Sequence, residues 1–245
     1  MYATLKNILS KLIPKKSLIK HEVKLRSLFY FFYRGSAYEC VICEKKLKKF
    51  IQNKNNHSIC PNCGSIHRVR RLWMILKNEF LMDGKVVLDF SPSRSLFRKL
   101  NSIRNIQYIS TDISGDFLAE NKFDITQLEI KDEQIDLILC YHILEHIPDD
   151  LKAISELYRV LKPGGKIIIQ TPFKDGEIYE DFTITNPQER VKHFGQEDHV
   201  RVYSINGLEN RINQIGFETE VRTYYKEPKP YGFIDETIII ASKKQ

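Results

Sequence analysis

Residues 86–172 predict a doubly wound α/β domain, and three observations carry the prediction. Val86-Val87-Leu88-Asp89, Ile106-Gln107-Tyr108-Ile109-Ser110-Thr111-Asp112 and Ile135-Asp136-Leu137-Ile138-Leu139-Cys140 are short apolar runs, of the kind required by strands covered on both faces. An acid closes each of the first two, Asp89 and then Asp112 twenty-three residues later. Leu161-Lys162-Pro163-Gly164-Gly165-Lys166 then turns the chain out of a helix into another apolar strand over 167–171. Ligands of open α/β sheets bind beyond the carboxyl ends of the strands, near the point where strand order reverses. Asp89 and Asp112 therefore fall at a binding crevice, and an acid at the second strand end is placed to accept hydrogen bonds from a ribose diol.

The elements follow in order. Asp89-Phe90-Ser91-Pro92-Ser93-Arg94-Ser95 forms the first turn, and Ser95 is positioned to cap a helix through Leu96, Phe97 and Leu100. Residues 204–215 read as a helix with Gly216 as its stop. Residues 217–224 and 233–242 supply two closing strands. With 245 residues, 42% hydrophobic and 28% charged, the chain can bury one full core and one small accessory module. No run is long enough to span a bilayer and no secretory pattern opens the chain, so a cytoplasmic protein is expected, with a peripheral position at the inner membrane face as the variant.

The net charge of +7 is uneven. Residues 1–75 hold sixteen basic and three acidic groups, while the other 170 hold twenty-two and twenty-eight. The excess belongs to the N-terminal third and suggests an acidic partner, whether headgroups, nucleic acid or an anionic substrate carrier. Residues 1–34 read as basic amphipathic helices: Leu5, Ile8, Leu9, Leu12 and Ile13 recur at helical spacing before Pro14, and Leu18, Leu25, Leu28, Phe29 and Phe32 follow among lysines. Two readings exist, an interfacial pair on anionic lipid and a pair packing its apolar faces on the folded domain. The packing reading is taken here.

Residues 35–75 read as a zinc-ribbon-like module. Cys40-Val41-Ile42-Cys43 and Cys60-Pro61-Asn62-Cys63 give a C-x2-C-x16-C-x2-C spacing, which brings four thiolates to one tetrahedral point, and Gly64 suits the tight turn after the second pair. A site filled by four protein thiolates is structural. His57 and His67 are read as bystanders. Lys45, Lys46, Lys48, Lys49, Arg68, Arg70 and Arg71 form a basic rim that either touches a polyanion or is a solvated surface.

From the strand-end acids onward, these landmarks resemble the class I S-adenosylmethionine-dependent methyltransferases of the type 11-like group, over residues 84–245. The resemblance implies a seven-stranded Rossmann-like sheet for 76–245. It implies Asp89 near the methionine amino group, Asp112 on the ribose hydroxyls, Asp124 on the adenine amino group with Ile125 packed on the ring, and Cys140 and Tyr141 lining the cavity near the methyl. The family usually carries a glycine-rich first turn. Here Ser91 and Ser93 stand instead, small enough for close approach and bearing hydroxyls. A nicotinamide dehydrogenase needs a pyrophosphate-binding G-x-G-x-x-G turn, which this segment lacks.

Methyl transfer asks for alignment, exclusion of water and, for a hydroxyl or protonated amine, a base. His142, Glu145 and His146 are candidates. They share one face of a turn, a set related to the E-x-x-E-H metal ligands of some methyltransferases; without an evident fourth ligand, Glu145 and His146 are read as orienting the loop by hydrogen bonds. A polar stretch over 172–203 reads as a lid or substrate loop, and its Glu-Arg…Phe-Gly-Gln…Asp-His-Val-Arg-Val-Tyr pattern resembles a bacterial subgroup that also carries the cysteine pairs. His199 with Asp198 is a second base candidate. Arg190, Arg201 and Tyr203 are candidate acceptor-binding residues, and a salt bridge by which Asp198 and Arg201 only pin the loop is the equal alternative. The reading is a methyltransferase for a small-molecule or glycan intermediate of cell-surface biosynthesis, using S-adenosylmethionine and a structural zinc. An RNA methyltransferase recruited by its basic zinc module and a non-catalytic binding module with a decayed cofactor site are the alternatives.

Overall fold

The computed structural model describes residues 15–53, 57–226 and 230–244. The expected first helix, over 5–13, lies outside them. The chain forms two compact units: residues 1–79, 93–99 and 225–235 make the first, and 80–92, 100–224 and 236–245 the second. Residues 225–235, assigned to the catalytic segment from sequence, belong to the first.

In the first unit, α1 (Lys15–Tyr30) leads through a single tight turn into β1 (Arg34–Glu39). Its buried side holds an ionic knot: Glu22 accepts from Arg26 at 3.0 Å and from Arg98 at 3.0 Å, with Arg94 at 3.3 Å. Leu28, Phe31 and Phe32 are 69%, 65% and 63% exposed, so the packing expected of Leu28 and Phe32 is not made. Two short antiparallel pairs follow, β1 with β2 (Lys46–Leu47) and β3 (Ile51–Gln52) with β4 (Ser58–Ile59). Next come α2 (His67–Ile75), which buries Val69, Leu72, Trp73 and Ile75, and α3 (Arg94–Leu100). Two arginines of the expected basic rim are buried. Arg70 is fully covered, lies over the Phe50 ring, and donates to the carbonyls of Ser58, Ser65, Tyr231 and Gly232. Arg71 donates to the carbonyls of Tyr225 and Ile234. They tie segments of the unit together instead of facing a polyanion.

The second unit is built on a six-stranded sheet. In chain order its strands are β5 (Val86–Phe90), β6 (Gln107–Thr111), β7 (Ile135–Tyr141), β8 (Leu161–Gln170), β11 (Phe217–Tyr224) and β12 (Glu236–Lys243), arranged β11-β12-β8-β7-β5-β6. Strands β8, β7, β5 and β6 are parallel, and β12 and β11 join antiparallel. After β6 the chain crosses to the other side of β5, which puts the switch point between β5 and β7.

Seven strands were expected, and the described residues give six. The absent one is the edge strand beyond β6. Residue 121 makes only a single parallel bridge to Thr111, ten residues after β6 ends there. A parallel crossover needs about a dozen residues or more, so the chain can touch the edge of β6 but cannot carry a helix and return as a full strand.

Helices α4 (Asp150–Val160) and α6 (Ile205–Ile215) close the core of this unit with Ala153, Ile154, Leu157, Val160, Leu208 and Ile212. Ser204 caps α6 by accepting from the Gly207 N–H, and Gly216 ends it at φ 114°, a conformation that costs glycine nothing. The expected lid is ordered. It carries β9 (Tyr179–Glu180), α5 (Pro187–Phe194) and β10 (Arg201–Val202), with β9 and β10 paired antiparallel.

A buried charge network fixes that segment. Arg201 Nε donates to Glu180 at 2.8 Å and Arg211 Nη2 donates to the other Glu180 oxygen at 2.6 Å. Arg211 and the Tyr203 hydroxyl both donate to Asp150, at the start of α4. Removing one member of a buried pair leaves its partner uncompensated, at a cost of about 3–5 kcal/mol. Asp150→Ala should lower unfolding free energy by about that much in urea titrations; a loss below about 1 kcal/mol, the range of exposed pairs, would contradict a structural role for the network.

Candidate active site

The crevice at the carboxyl ends of β5, β6 and β7 brings together the two acids read from sequence. Asp89, paired in register with Ser110 and Leu139, is 3% exposed and accepts from the Tyr108 hydroxyl at 2.9 Å. Burial pushes its carboxyl up to about 7, against the lowering effect of that hydroxyl. Tyr108 was not identified from sequence; a tyrosine inside a buried strand needs a partner for its hydroxyl, and that need was the available signal.

Ser91 sits at φ 45°, in the left-handed region where the family's turn carries glycine. Its N–H donates to the Thr111 carbonyl at 2.8 Å, and its Oγ donates to Asp112 Oδ1 at 2.8 Å. These bonds offset the strain of a Cβ at positive φ. Asp112 also accepts from the Ser114 hydroxyl at 2.9 Å and the Phe117 N–H at 3.2 Å. Burial pushes its carboxyl up, but the bonds from Ser91, Phe117 and Ser114 outweigh it and hold Asp112 below the usual value. It is an ionised acceptor beside a turn that approaches the crevice without glycine.

The other expected residues divide. Ser93, rather than Ser95, caps α3 by accepting from the Leu96 N–H at 3.3 Å. Asp124 is exposed, and its Oδ1 accepts from the Thr126 N–H and hydroxyl, both at 2.8 Å. Ile125 is 4% exposed within the hydrophobic core, so it is not open to pack on a ring. Cys140 is also a core residue with no exposure, and burial pushes its thiol up; it does not line a cavity. Tyr141 is half-buried. Arg201 and Tyr203 are fully buried. The Arg201 guanidinium also donates to the carbonyls of Leu144, Ile147 and Pro148, so it pins the loop and is not available to an acceptor. Arg190 is half-buried and donates through Nε to the Ile184 carbonyl at 3.0 Å.

Beyond β7 the histidines pair differently from the expectation. His142 adopts φ 56°, its N–H held by the Gln170 carbonyl at 2.7 Å. Its Nδ1 meets Glu145 Oε1 at 3.0 Å, and its Nε2 is buried without a partner. Burial pushes Glu145 up, but the His142 contact outweighs it and holds the acid below its usual value. Asp198 does not orient His199. It pairs instead with His146 Nδ1 at 3.1 Å. His199 donates through Nδ1 to the Phe194 carbonyl at 3.0 Å, and burial, followed by the neighbouring His146, holds it below the ordinary histidine value.

The four module cysteines converge. Cys40 and Cys63 lie 3.6 Å apart through sulfur, and Cys43 and Cys60 lie 3.7 Å apart. All four sulfurs fall within 4.8 Å of one another. A zinc tetrahedron with Zn–S of about 2.3 Å has edges of about 3.8 Å. The two knuckles repeat one backbone pattern: the Glu44 N–H donates to the Cys40 carbonyl at 2.7 Å and the Gly64 N–H to the Cys60 carbonyl at 3.0 Å, with φ 56° and 80°. The set fits a structural metal; His57 and His67 stand outside it.

A family model described as a methyltransferase domain matches residues 65–221. The chain belongs to this methyltransferase family. An uncharacterised protein of Methanocaldococcus jannaschii is 34% identical over 139 residues, 52% of this chain and 58% of its own. The tRNA U34 carboxymethyltransferase of Nautilia profundicola is 29% identical over 96 residues, 39% of this chain and 30% of that one. The chain thus spans less than two thirds of these curated relatives. Among solved structures, phosphoethanolamine N-methyltransferase 2 of Haemonchus contortus, in complex with phosphomonomethylethanolamine and S-adenosylhomocysteine, superposes with a TM-score of 0.52 at 17% identity, covering 72% of this chain and 53% of that chain. S-adenosylmethionine is the cofactor of this methyltransferase family, and the mostly parallel six-stranded sheet matches its Rossmann-like fold.

The methyltransferase crevice has a pH signature. The Asp89 value in the folded protein, about 7, lies above its unfolded value of 3.8. Its contribution to stability is therefore complete below the unfolded value and lost as pH rises through about 7. Asp89→Asn should remove that loss, so the stability of the variant relative to the parent should rise between those two values. Carbon NMR of the Asp89 carboxyl should show a midpoint near 7; a midpoint at the ordinary aspartate value would contradict the burial account.

Proposed function

We propose that the chain transfers the methyl group of S-adenosylmethionine to a hydroxyl or amine of a small-molecule or glycan intermediate, with His142 as the base. The observation that carries this reading is the His142–Glu145 pair at the end of β7, where the acid is 1% exposed and bonded to the imidazole at 3.0 Å. A buried carboxylate on Nδ1 fixes the ring, which leaves Nε2 to take the acceptor's proton as the methyl arrives. His142 holds a strained backbone position that any glycine would occupy freely, and such strain in a non-glycine residue at a crevice supports a functional role.

In this reading Asp112 and Ser91 hold the ribose, Asp89 the methionine amino end, and Asp124 the adenine amino group. Tyr141 borders the methyl, and Arg190 holds an anionic part of the acceptor. The four cysteines hold one zinc that stabilises the first unit. Against RNA as the acceptor stand Arg70 and Arg71, which are buried and so removed from the basic rim.

Transfer of label from methyl-labelled S-adenosylmethionine into fractionated bacterial extract tests the acceptor class. Label is expected in the small-molecule or glycan fraction, and His142→Ala should lower it about a hundredfold with cofactor affinity near normal. Label confined to RNA would overturn the acceptor assignment, and full activity in His142→Ala would overturn the base. Metal analysis should find about one zinc per chain, lost in Cys60→Ser together with the folding of the module; zinc unaffected by that substitution would remove it from the account.

A further inference from the structure

Three potential ligands meet in the second unit, outside the four-cysteine cluster. Glu145, His146 and His199 each offer a ligand atom, and the three atoms lie within 4.8 Å of one another. Two of the residues present buried polar atoms that have no partner among the described residues: Glu145 Oε2 and His199 Nε2. Glu145 is 1% exposed and His199 3%. A buried carboxylate oxygen and a buried imidazole nitrogen left empty each cost free energy. A cation between them would satisfy both.

The surroundings prepare the set. The Phe194 carbonyl can only accept, so the 3.0 Å contact puts the His199 proton on Nδ1 and leaves the lone pair on Nε2. Asp198 holds the His146 ring through Nδ1 at 3.1 Å, the carboxylate–histidine arrangement that orients metal-ligating imidazoles. The two rings lie edge to face with centroids 4.6 Å apart. Glu145 is itself oriented, its Oε1 on His142. The Val200 N–H donates to the Glu145 carbonyl at 2.9 Å, which locks the segment bearing His199 to the turn bearing the other two.

We infer that Glu145, His146 and His199 form a second metal centre, which takes a divalent transition-metal ion through one carboxylate and two neutral imidazoles. Imidazole donors select zinc, iron, cobalt or nickel over calcium and magnesium. Three protein ligands leave coordination positions open to water or to oxygen atoms of a bound molecule, unlike the closed cysteine site. His199 is then a ligand and not a base, and Asp198 a positioning residue for His146.

The test is cobalt titration of protein whose cysteine cluster has been filled with zinc and from which loose metal has been removed. About one further Co2+ per chain should bind, with visible absorption free of thiolate-to-cobalt charge transfer. His146→Ala should weaken uptake about a hundredfold and Asp198→Asn about tenfold. Both positions are partly exposed, and an unchanged melting temperature in chelator will show that these variants are folded. Glu145→Gln and His199→Ala should abolish uptake. No cobalt beyond the cysteine cluster, charge-transfer bands on the added cobalt, or undiminished binding in folded His146→Ala would each overturn the centre. None of these readouts depends on methyl transfer.

Discussion

Two arginines and two carboxylates, with Arg201 and Asp150 buried and Arg211 and Glu180 at the margin, are the constraint on which the second unit depends. Arg201 and Arg211 divide Asp150 and Glu180 between them, at 3.6 and 2.8 Å for the first and 2.5 and 2.6 Å for the second. Charge balances within the set, so neither arginine is left uncompensated in a low-dielectric interior. The four residues belong to α4, β9, β10 and α6, which makes the network the joint between the polar segment over 172–203 and the helices that cover the sheet. His199 lies two residues before β10, and its position beside Glu145 and His146 follows from that joint.

The crevice solves a different problem. The family's usual glycine-rich turn lets the backbone adopt positive φ and approach the cofactor. Here a serine takes that conformation, and its hydroxyl is held by Asp112, the same acid that ends the second strand. The turn and the acid that ends the second strand are thereby coupled: in the proposed reading, a change at Asp112 removes a cofactor acceptor and also a support of the strained turn. Asp89, by contrast, is fully enclosed with Tyr108 as its bonded partner. Ionisation of Asp89 near neutral pH links the crevice to proton concentration.

Much of the fold was legible because strand burial writes itself as apolar runs. Val86–Phe90, Gln107–Thr111 and Ile135–Tyr141 fall within a residue or two of the runs that predict them, and Ser204 and Gly216 bound their helix as expected. The cysteine spacing specified a cluster because ligand geometry depends on few residues. The missing edge strand was not read, since it depends on the length of chain after Asp112 rather than on local pattern. Arg201 and Asp198 were ambiguous for a related reason: a charged side chain in a polar loop shows its type but not its partner. Arg201 found Glu180 and Asp150, while Asp198 found His146 instead of its neighbour His199. Cys140 and Ile125 looked like lining residues from their position beside strand-end motifs, yet both turn into the core.

The central claim is that a glycine-free turn anchored on Asp112 still holds the methyltransferase cofactor. Calorimetric titration with S-adenosylhomocysteine, on the unmodified protein and on Asp112→Ala, addresses it most directly. Binding of about one cofactor per chain is expected for the unmodified protein, weakened in the variant by roughly 1.5–3 kcal/mol, the range for hydrogen bonds to a charged group. Absence of binding to the folded, unmodified protein would contradict the account and mark the crevice as a site that has lost its cofactor.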